Sequence, residues 1–246
     1  ENKDTIPSSF FSPDGSHIAT ASFDTTCRIT NVKTGDLLCP PLKHDEVVLS
    51  AAFSPDGKRL VTGSRNGIIR LWDASTGRQF EGRLKNYGIV RFVAFNPKDT
   101  RIVALISDAQ DEIQFIDASF NIYFRRRQHS RIESITFSSD GSRILLSYDD
   151  GAVKILDSLN GAILGAPLKH ATKVERASFS PDGQRVVTTC RDGTVRVWDA
   201  NTSQSLGSPV SIEEIIALSG CHVADNGQLE WLPGPEWMAL INKVKA

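Results

Sequence analysis

Four residues in the first half of the chain have the side-chain types of a nucleophilic active site. They are His44, Ser64, Asn66 and Trp72. A serine becomes a nucleophile when a histidine takes its proton and a carboxylate supports the imidazolium that forms. An amide stands where the carboxylate is needed, so this histidine would be a poor base. We therefore interpret the group as structural and expect His44→Ala to lower stability without abolishing a turnover.

A second group with the same spacing consists of His170, Asp192 and Trp198. Here the acid is present, but Cys190 stands in place of the serine, so we interpret this group as structural too. The sequence also has no glycine-rich phosphate loop, metal-ligand spacing or paired-carboxylate motif. It therefore predicts no enzyme, no cofactor and no metal site.

Composition limits the class of protein. The 246 residues are 40% hydrophobic, and the net charge is −1 with a pI near 6.6. This charge gives no general attraction to nucleic acid or to an anionic membrane. No apolar run approaches the ~20 residues that span a bilayer. The only methionine is Met238, so we expect a processed product or a piece of a longer protein.

The four cysteines show no paired metal-ligand spacing. They are Cys27, Cys39, Cys190 and Cys221. Such cysteines usually act as small buried hydrophobes in a reducing compartment. A cytoplasmic location is therefore expected.

A four-residue turn recurs along the chain at intervals of 42 residues. Its copies begin at Ser12, Asn96 and Ser180 and, between them, at Ser54 and Ser138. In the Ser-Pro-Asp-Gly form, Pro presets φ, Asp bonds to the local backbone, and Gly tolerates positive φ. The strand ends that follow lie at positions 31, 73, 117, 157 and 199. The third copy is therefore two residues longer before its strand end, and the interval to the next strand end is shorter by the same number. A fixed period with four short strands per unit predicts a propeller.

The second copy shows the predicted strands. They are strand a at 47–53, b at 59–64, c at 68–72 and d at 78–84. Each sheet must bury its faces against its neighbours, and one phenylalanine of strand a recurs in every copy. We expect Phe11, Phe53, Phe95, Phe137 and Phe179 to fill the layers between sheets.

Two segments carry a family resemblance. Residues 65–73 and 191–199 resemble the tryptophan–aspartate (WD) repeat, and His44 and His170 stand ten residues before their turns, where that family places its histidine. The resemblance covers residues 2–211. It implies an all-β WD-repeat β-propeller of five full four-stranded blades plus a partial sixth. One domain would span 1–246, with five repeats of about 42 residues over 1–211 and a degenerate closing segment over 212–246.

The resemblance also assigns roles to the two polar groups. In the WD family such residues form a structural tetrad, in which Trp donates to Ser, Ser to His, and His to the turn Asp. It implies that tetrad for His44, Ser64, Asn66 and Trp72, and for His170, Asp192 and Trp198.

The repeat pattern ends after Ser211. A strand is predicted at 212–218, a hairpin at 221–223 and 229–232 around residues 225–227, and a short helix or tail at 236–245. The run from Gly220 to Pro233 resembles the end of WD-repeat regions in fungal STAND-type NTPases, which implies a natural C-terminus. Either residues 212–232 close a six-bladed ring with help from residues 1–4, or the chain is part of a seven-bladed ring.

One basic cluster stands out, Arg125 to Arg127 with Arg131 nearby. Charges on an outer strand discourage edge-to-edge pairing, which is our interpretation of this cluster. The alternative is a patch for an acidic partner or phosphate. Single-strand nucleic-acid binding is disfavoured, because no aromatic residues interleave with the arginines.

The resemblance places partner recognition on the face that bears the d–a and b–c loops. The residues it assigns there are Phe23, Asp45, Arg65, Tyr87, His129, Arg131, Asp149, Lys173 and Arg191. Cationic and aromatic groups of this kind are enriched at interface hot spots.

The favoured function is a scaffold or sensor module that binds other proteins on the propeller face and rim, without catalysis. The alternative is a lectin that binds glycans between blades. Against it, Trp72 and Trp198 are assigned to packing, and Tyr87, Tyr123 and Tyr148 do not share one register. No membrane partner is expected, and pairing of two copies through exposed sheet edges stays open.

Overall fold

A computed structural model of the chain describes residues 5–211, 221–223 and 229–231. All regular structure in these ranges is β-strand, arranged as five four-stranded sheets and one two-stranded sheet. Within each sheet the strands lie side by side in chain order. No helix in these ranges has the length and apolar character needed to cross a membrane.

The strand bounds repeat from sheet to sheet. The first sheet is β1 Ser8–Phe11, β2 His17–Ala21, β3 Thr26–Asn31 and β4 Leu42–Lys43, and the second is β5 Val48–Phe53, β6 Arg59–Ser64, β7 Ile68–Asp73 and β8 Leu84–Lys85. The third is β9 Ile89–Phe95, β10 Ile102–Ser107, β11 Asp111–Ile116 and β12 Ile122–Arg127, and the fourth is β13 Ile132–Phe137, β14 Arg143–Tyr148, β15 Ala152–Asp157 and β16 Ile163–Lys169. The fifth is β17 Val174–Phe179, β18 Arg185–Cys190, β19 Thr194–Asp199 and β20 Val210–Ser211, and the two-stranded sheet is β21 Cys221–Val223 and β22 Leu229–Trp231.

The Ser-Pro-Asp-Gly turn folds as its side chains predict. The Ser54 hydroxyl donates to Asp56 at 2.6 Å, and it also accepts from the Arg59 N–H at 2.9 Å. Gly57 adopts a φ of 69°. The hydrogen bond from Ser54, followed by one from the Lys58 N–H, lowers the pKa of Asp56. The turn therefore fixes the start of β6 by local chemistry alone.

The outer strand of the second repeat is much shorter than predicted. Only Leu84–Lys85 pairs as a strand, and Gln79 makes a single isolated bridge to Trp72. Gly82 lies between these two points at a φ of 93°, a conformation that turns the chain out of the ladder. The prediction of a continuous strand over 78–84 is therefore wrong.

The described chain divides into two compact units. The first contains residues up to 132 together with 137–144 and 156–162, and the second contains 133–136, 145–155 and the residues from 163 onward. In the first unit, one apolar core lies between the first and second sheets and another between the second and third. In the second unit, β14 and β15 pack against the fifth sheet. The prediction of a single domain stays a prediction.

The recurring phenylalanine follows the predicted packing in only some copies. Phe95 is buried, and Phe53, Phe137 and Phe179 are half-buried. Phe11 is 63% exposed, so its predicted role between sheets is wrong. It pairs with Ile18, whereas the neighbouring Ala19 enters the core shared with the second sheet. Phe11 therefore belongs to the other face of the first sheet.

Two further predictions concern the cysteines and the C-terminal segment. Cys27, Cys39 and Cys190 are free and buried, and burial raises the pKa of the Cys27 thiol to about 12. The predicted hairpin is confirmed in its paired strands, with Cys221 opposite Trp231. The strand predicted at 212–218, the turn at 225–227 and the helix or tail at 236–245 lie outside the described residues.

Candidate functional site

A histidine, a threonine and a tryptophan form a buried relay in the second sheet. The Trp72 Nε1–H donates to the Thr62 hydroxyl at 2.8 Å, and that hydroxyl lies 2.8 Å from His44 Nε2. His44 Nδ1 lies 3.0 Å from the Leu42 carbonyl oxygen, which can only accept. Nδ1 therefore carries the proton, and Thr62 donates to Nε2. The relay thus satisfies both ring nitrogens of His44, the Thr62 hydroxyl and the Trp72 indole N–H.

The predicted tetrad is therefore wrong in all three of its links. Thr62, two positions earlier on β6, takes the place assigned to Ser64, whose hydroxyl donates instead to the Ile68 carbonyl and to Asn66. The histidine ring faces a backbone carbonyl and not the turn residue Asn66. The reason is the strand register. Thr62 and Ser64 share one face of β6, but Trp72 pairs with Leu60, so Thr62 is the next residue on that face and Ser64 lies one step further away.

The fifth sheet repeats this arrangement. Trp198 Nε1–H donates to Thr188 at 3.0 Å, and Thr188 lies 2.8 Å from His170 Nε2. His170 Nδ1 faces the Gly151 carbonyl at 3.0 Å, while Asp192 accepts from Thr194. The tetrad link to Asp192 is thus replaced in the same way as in the second sheet.

Both histidines are poor candidates for acid–base chemistry. Burial, helped by the nearby Arg70, lowers the pKa of His44 to about 4. Burial also lowers the pKa of His170. A neutral imidazole whose two nitrogens are already bonded has neither a free proton nor a free lone pair for a substrate. The structural interpretation made from the sequence agrees with this geometry.

The third repeat joins its loop to its core with different side chains. Ala104 and Ile116 stand in the strand positions of Thr62 and Trp72, so neither a hydroxyl nor an indole is available. Instead Gln114 Nε2 donates to Asn86 Oδ1 at 2.7 Å and to Glu112 at 2.8 Å. A chain of amides thus replaces the relay.

The loop that follows the second sheet is held by one glycine. The Gly67 carbonyl accepts from the Asn86 N–H at 2.9 Å and from Asn86 Nδ2 at 3.2 Å. Gly67 adopts a φ of 83°, and a Cβ there would lie 2.3 Å from the Asn86 carbonyl oxygen. Only glycine fits this approach. Tyr87, the next residue, is thereby presented to solvent and is fully exposed.

The two extra residues of the third repeat lie in its b–c hairpin. Ser107 pairs with Asp111, and the exposed residues 108–110 form the turn between them. The buried Asp111 carboxylate accepts from the Ser107 hydroxyl at 2.6 Å and from the Ile132 N–H at 2.7 Å, and Arg91 lies 3.6 Å away. Asp111 therefore ties this hairpin to the next loop.

These loops enclose a cleft of about 640 Å³, which we name the Tyr87 cleft. Its walls come from the b–c turn at 65–66, the loop at 87–91, the hairpin at 107–111 and the loop at 128–131. It gathers four of the nine residues predicted to bind partners, namely Arg65, Tyr87, His129 and Arg131. A second pocket of about 590 Å³, the Lys85 pocket, adjoins it and shares Tyr87, Gly88 and residues 108–110.

The other five predicted residues do not line the Tyr87 cleft. Asp45 forms an ion pair with the buried Arg70, and Lys173 forms one with Glu133 at 3.0 Å. Phe23, Asp149 and Arg191 are exposed. Their role in binding stays a prediction.

Sequence reasoning missed three residues that shape this region. They are Arg91 and Asp111 in the Tyr87 cleft and Gln114 in the Lys85 pocket. The available signal was the two-residue shift in the third copy, which marked a longer hairpin at this point. Within the described ranges, no cluster of three or more His, Cys, Asp or Glu side chains is placed to hold a metal ion.

The repeated sheets and the histidine–threonine–tryptophan relays define a repeat protein built of similar four-stranded blades. The profile of the family described as "WD domain, G-beta repeat" matches residues 3–31, 40–73, 122–157 and 165–199. These segments make up more than half of the chain, which therefore belongs to this WD40 family. The third repeat, which lacks the relay, falls between the matched segments.

Solved structures show the same fold, with 1851 matching chains. One is the β-propeller domain of Cps50 (Swd1) from Myceliophteria thermophila, with 17% identity and a TM-score of 0.67. The match covers 81% of this chain and 66% of that one, just under two thirds of its length. At this identity the likeness shows the fold alone, and the predicted WD-repeat β-propeller fold class is confirmed. A comparison with curated protein sequences gives no significant match.

Proposed function

We propose that this chain is a non-catalytic interaction module that captures partner proteins with the Tyr87 cleft. WD40 propellers generally act as protein-interaction scaffolds. The observation that carries the proposal is Tyr87 itself, a fully exposed aromatic side chain held at the mouth of a cleft by the Gly67–Asn86 hydrogen bonds. Exposed aromatic and arginine side chains at a concave surface have the composition of an interface hot spot.

The absence of catalysis belongs to the same proposal. The chain's nucleophile-like groups are used in packing, because both ring nitrogens of His44 and of His170 are hydrogen-bonded to groups of the chain. We propose that the module works in the cytoplasm as the sensor part of a larger regulator. The likeness of residues 220–233 to fungal STAND-type NTPases motivates that role.

The test is capture of partner proteins from an extract, with identification by mass spectrometry. Tyr87→Ala should lose the partners that the wild-type chain retains. The matched control is Phe80→Ala, because Phe80 is also an exposed aromatic residue of the first unit but does not line the cleft. Equal capture by wild type and Tyr87→Ala would contradict the proposal. Strong binding of one sugar on a glycan array, unchanged in Tyr87→Ala, would favour the lectin alternative.

A further inference from the structure

We infer that the Tyr87 cleft and the Lys85 pocket form one continuous site for an extended acidic segment of the partner protein. This inference rests on the proposed function, and it names the chemistry of the partner.

The first argument is the excess of positive charge. The two pockets are lined by Arg65, Arg91 and Arg131, with Lys85, Arg125 and Arg127 in the second. Their acidic lining residues are Asp108, Asp111 and Glu112. The lining thus has six cations and three anions, whereas the whole chain has a net charge of −1.

Two of the three acidic residues are already paired. Asp111 lies 3.6 Å from Arg91, and Glu112 lies 3.6 Å from Arg127. No described side chain pairs with Arg65, Lys85 or Arg125. The charge left for a partner is therefore positive in both pockets. A positive surface bordered by few free acids selects an anionic partner and repels a cationic one.

The second argument is the common border of the two pockets. Tyr87, Gly88 and residues 108–110 line both, so a single chain can cross from one pocket to the other over this border. Tyr87 offers an apolar ring at the crossing, and Ile89 is partly exposed beside it. This order of features fits a peptide with acidic residues on either side of an apolar one.

The third argument is that the border is built by the repeat that departs from the family pattern. The two-residue extension of its hairpin supplies residues 108–110. The same repeat replaces the relay with amides, and Gln114 of that chain lines the Lys85 pocket. Departures from a local pattern are expected at functional sites.

The test measures peptide binding by isothermal titration calorimetry with the full chain. The probe is a capped ten-residue peptide of glutamate with two central leucines, and the two comparison peptides carry lysine or glutamine in place of glutamate. We expect only the glutamate peptide to bind, and we expect its affinity to fall as salt is raised.

Charge reversal in each pocket should weaken this binding. Arg65→Glu and Arg125→Glu should each reduce the affinity by about three- to ten-fold, and the double variant by more. Asp108→Asn should increase it by about two- to three-fold, because it removes the one acidic side chain at the border. The matched control is Lys43→Glu, which reverses the exposed lysine at the repeat position of Lys85 in the first sheet and lines neither pocket. It should change the affinity by less than about two-fold.

The outcomes separate this inference from the proposed function. Equal binding of the lysine or glutamine peptide, or an unchanged affinity in the double variant, would overturn the acidic segment. So would failure of the wild-type chain to bind the glutamate peptide. If Tyr87→Ala still loses its captured partners in that case, the proposed function stands and only the acidic chemistry is wrong. Arg65, Asp108 and Arg125 are exposed, so we expect each variant to keep its fold, and thermal melting checks this.

Discussion

The second and third repeats join a loop to the core of the sheet with different hydrogen-bonding side chains. The second joins a loop histidine to the core tryptophan through Thr62, and the family profile recognises it. The third places apolar Ala104 and Ile116 at those strand positions and bonds its loop through Gln114 and Asn86. The profile passes over it. A blade core can thus be built and joined to its loop without the relay.

The loops of the two repeats also differ in whether their side chains are buried or exposed. In the second repeat, the loop residue His44 is buried and hydrogen-bonded in the relay. In the third, the loop runs from Asn86 into the exposed Tyr87, and the longer hairpin at 107–111 stands beside it. The repeat that keeps the family pattern contributes packing, and the repeat that departs from it contributes most of the cleft.

The largest expected effect comes from removing the tryptophan of the second repeat. Trp72 is buried against the first sheet, so Trp72→Ala should lower the free energy of unfolding by about 3–5 kcal/mol. Urea denaturation measures this change. Phe11→Ala is the control, because its ring is mostly exposed and its loss should cost less than about 1 kcal/mol. Equal losses in the two variants would show that the relay tryptophan is not a core residue.

The second prediction uses pH, because the relay titrates and the amide chain does not. The pKa of His44 is lowered in the folded state to about 4 from an ordinary value of 6.5. The unfolded state therefore binds more protons between these values, so stability is full above pH 6.5 and is lost as the pH falls toward 4. The loss from His44 is at most about 3 kcal/mol.

Unfolding curves measured from pH 7 to pH 4.5 test this prediction. His44→Gln should flatten the pH dependence, and adding His170→Gln should flatten it further, because the pKa of His170 is lowered as well. The turn aspartates contribute little in this range, since the stability that comes from their lowered pKa values is lost mainly below their ordinary pKa of 3.8. If the free energy of unfolding depended on pH as steeply in the double variant as in the wild type, the claim that both histidines are buried in the neutral form would be wrong.

The sequence predicts these two repeats to different degrees. The turn chemistry at Ser54 and the period of 42 residues predict β6 to the residue, because both are local or repeated signals. The resemblance assigns the relay hydroxyl to Ser64, whereas the strand register, which is seen only in the folded sheet, selects Thr62. The cleft could not be predicted as one site, since it depends on four loops that meet only in the folded chain.

The amide chain of the third repeat should be weaker than the relay but still measurable. Gln114→Leu removes the donor to Asn86 Oδ1 and leaves a buried acceptor unpaired. The expected loss is about 1–3 kcal/mol. Thr62→Val is the matched variant in the second repeat, because it removes one buried hydroxyl at nearly constant volume. If Gln114→Leu were neutral while Thr62→Val destabilised the chain, the amides would not replace the relay.

The smallest expected effect on stability comes from the exposed arginine of the second b–c turn. Arg65 is exposed, and no described side chain pairs with it, so Arg65→Ala should change the free energy of unfolding by less than about 0.5 kcal/mol. The same variant should weaken partner capture, because the side chain lines the Tyr87 cleft. Urea denaturation and capture from an extract, run on one preparation, give both values. A loss of stability as large as that of Gln114→Leu would show that Arg65 stabilises the fold. The contrast between the buried loop residue His44, which stabilises the fold, and the exposed cleft residues, which bind partners, would then not hold for Arg65.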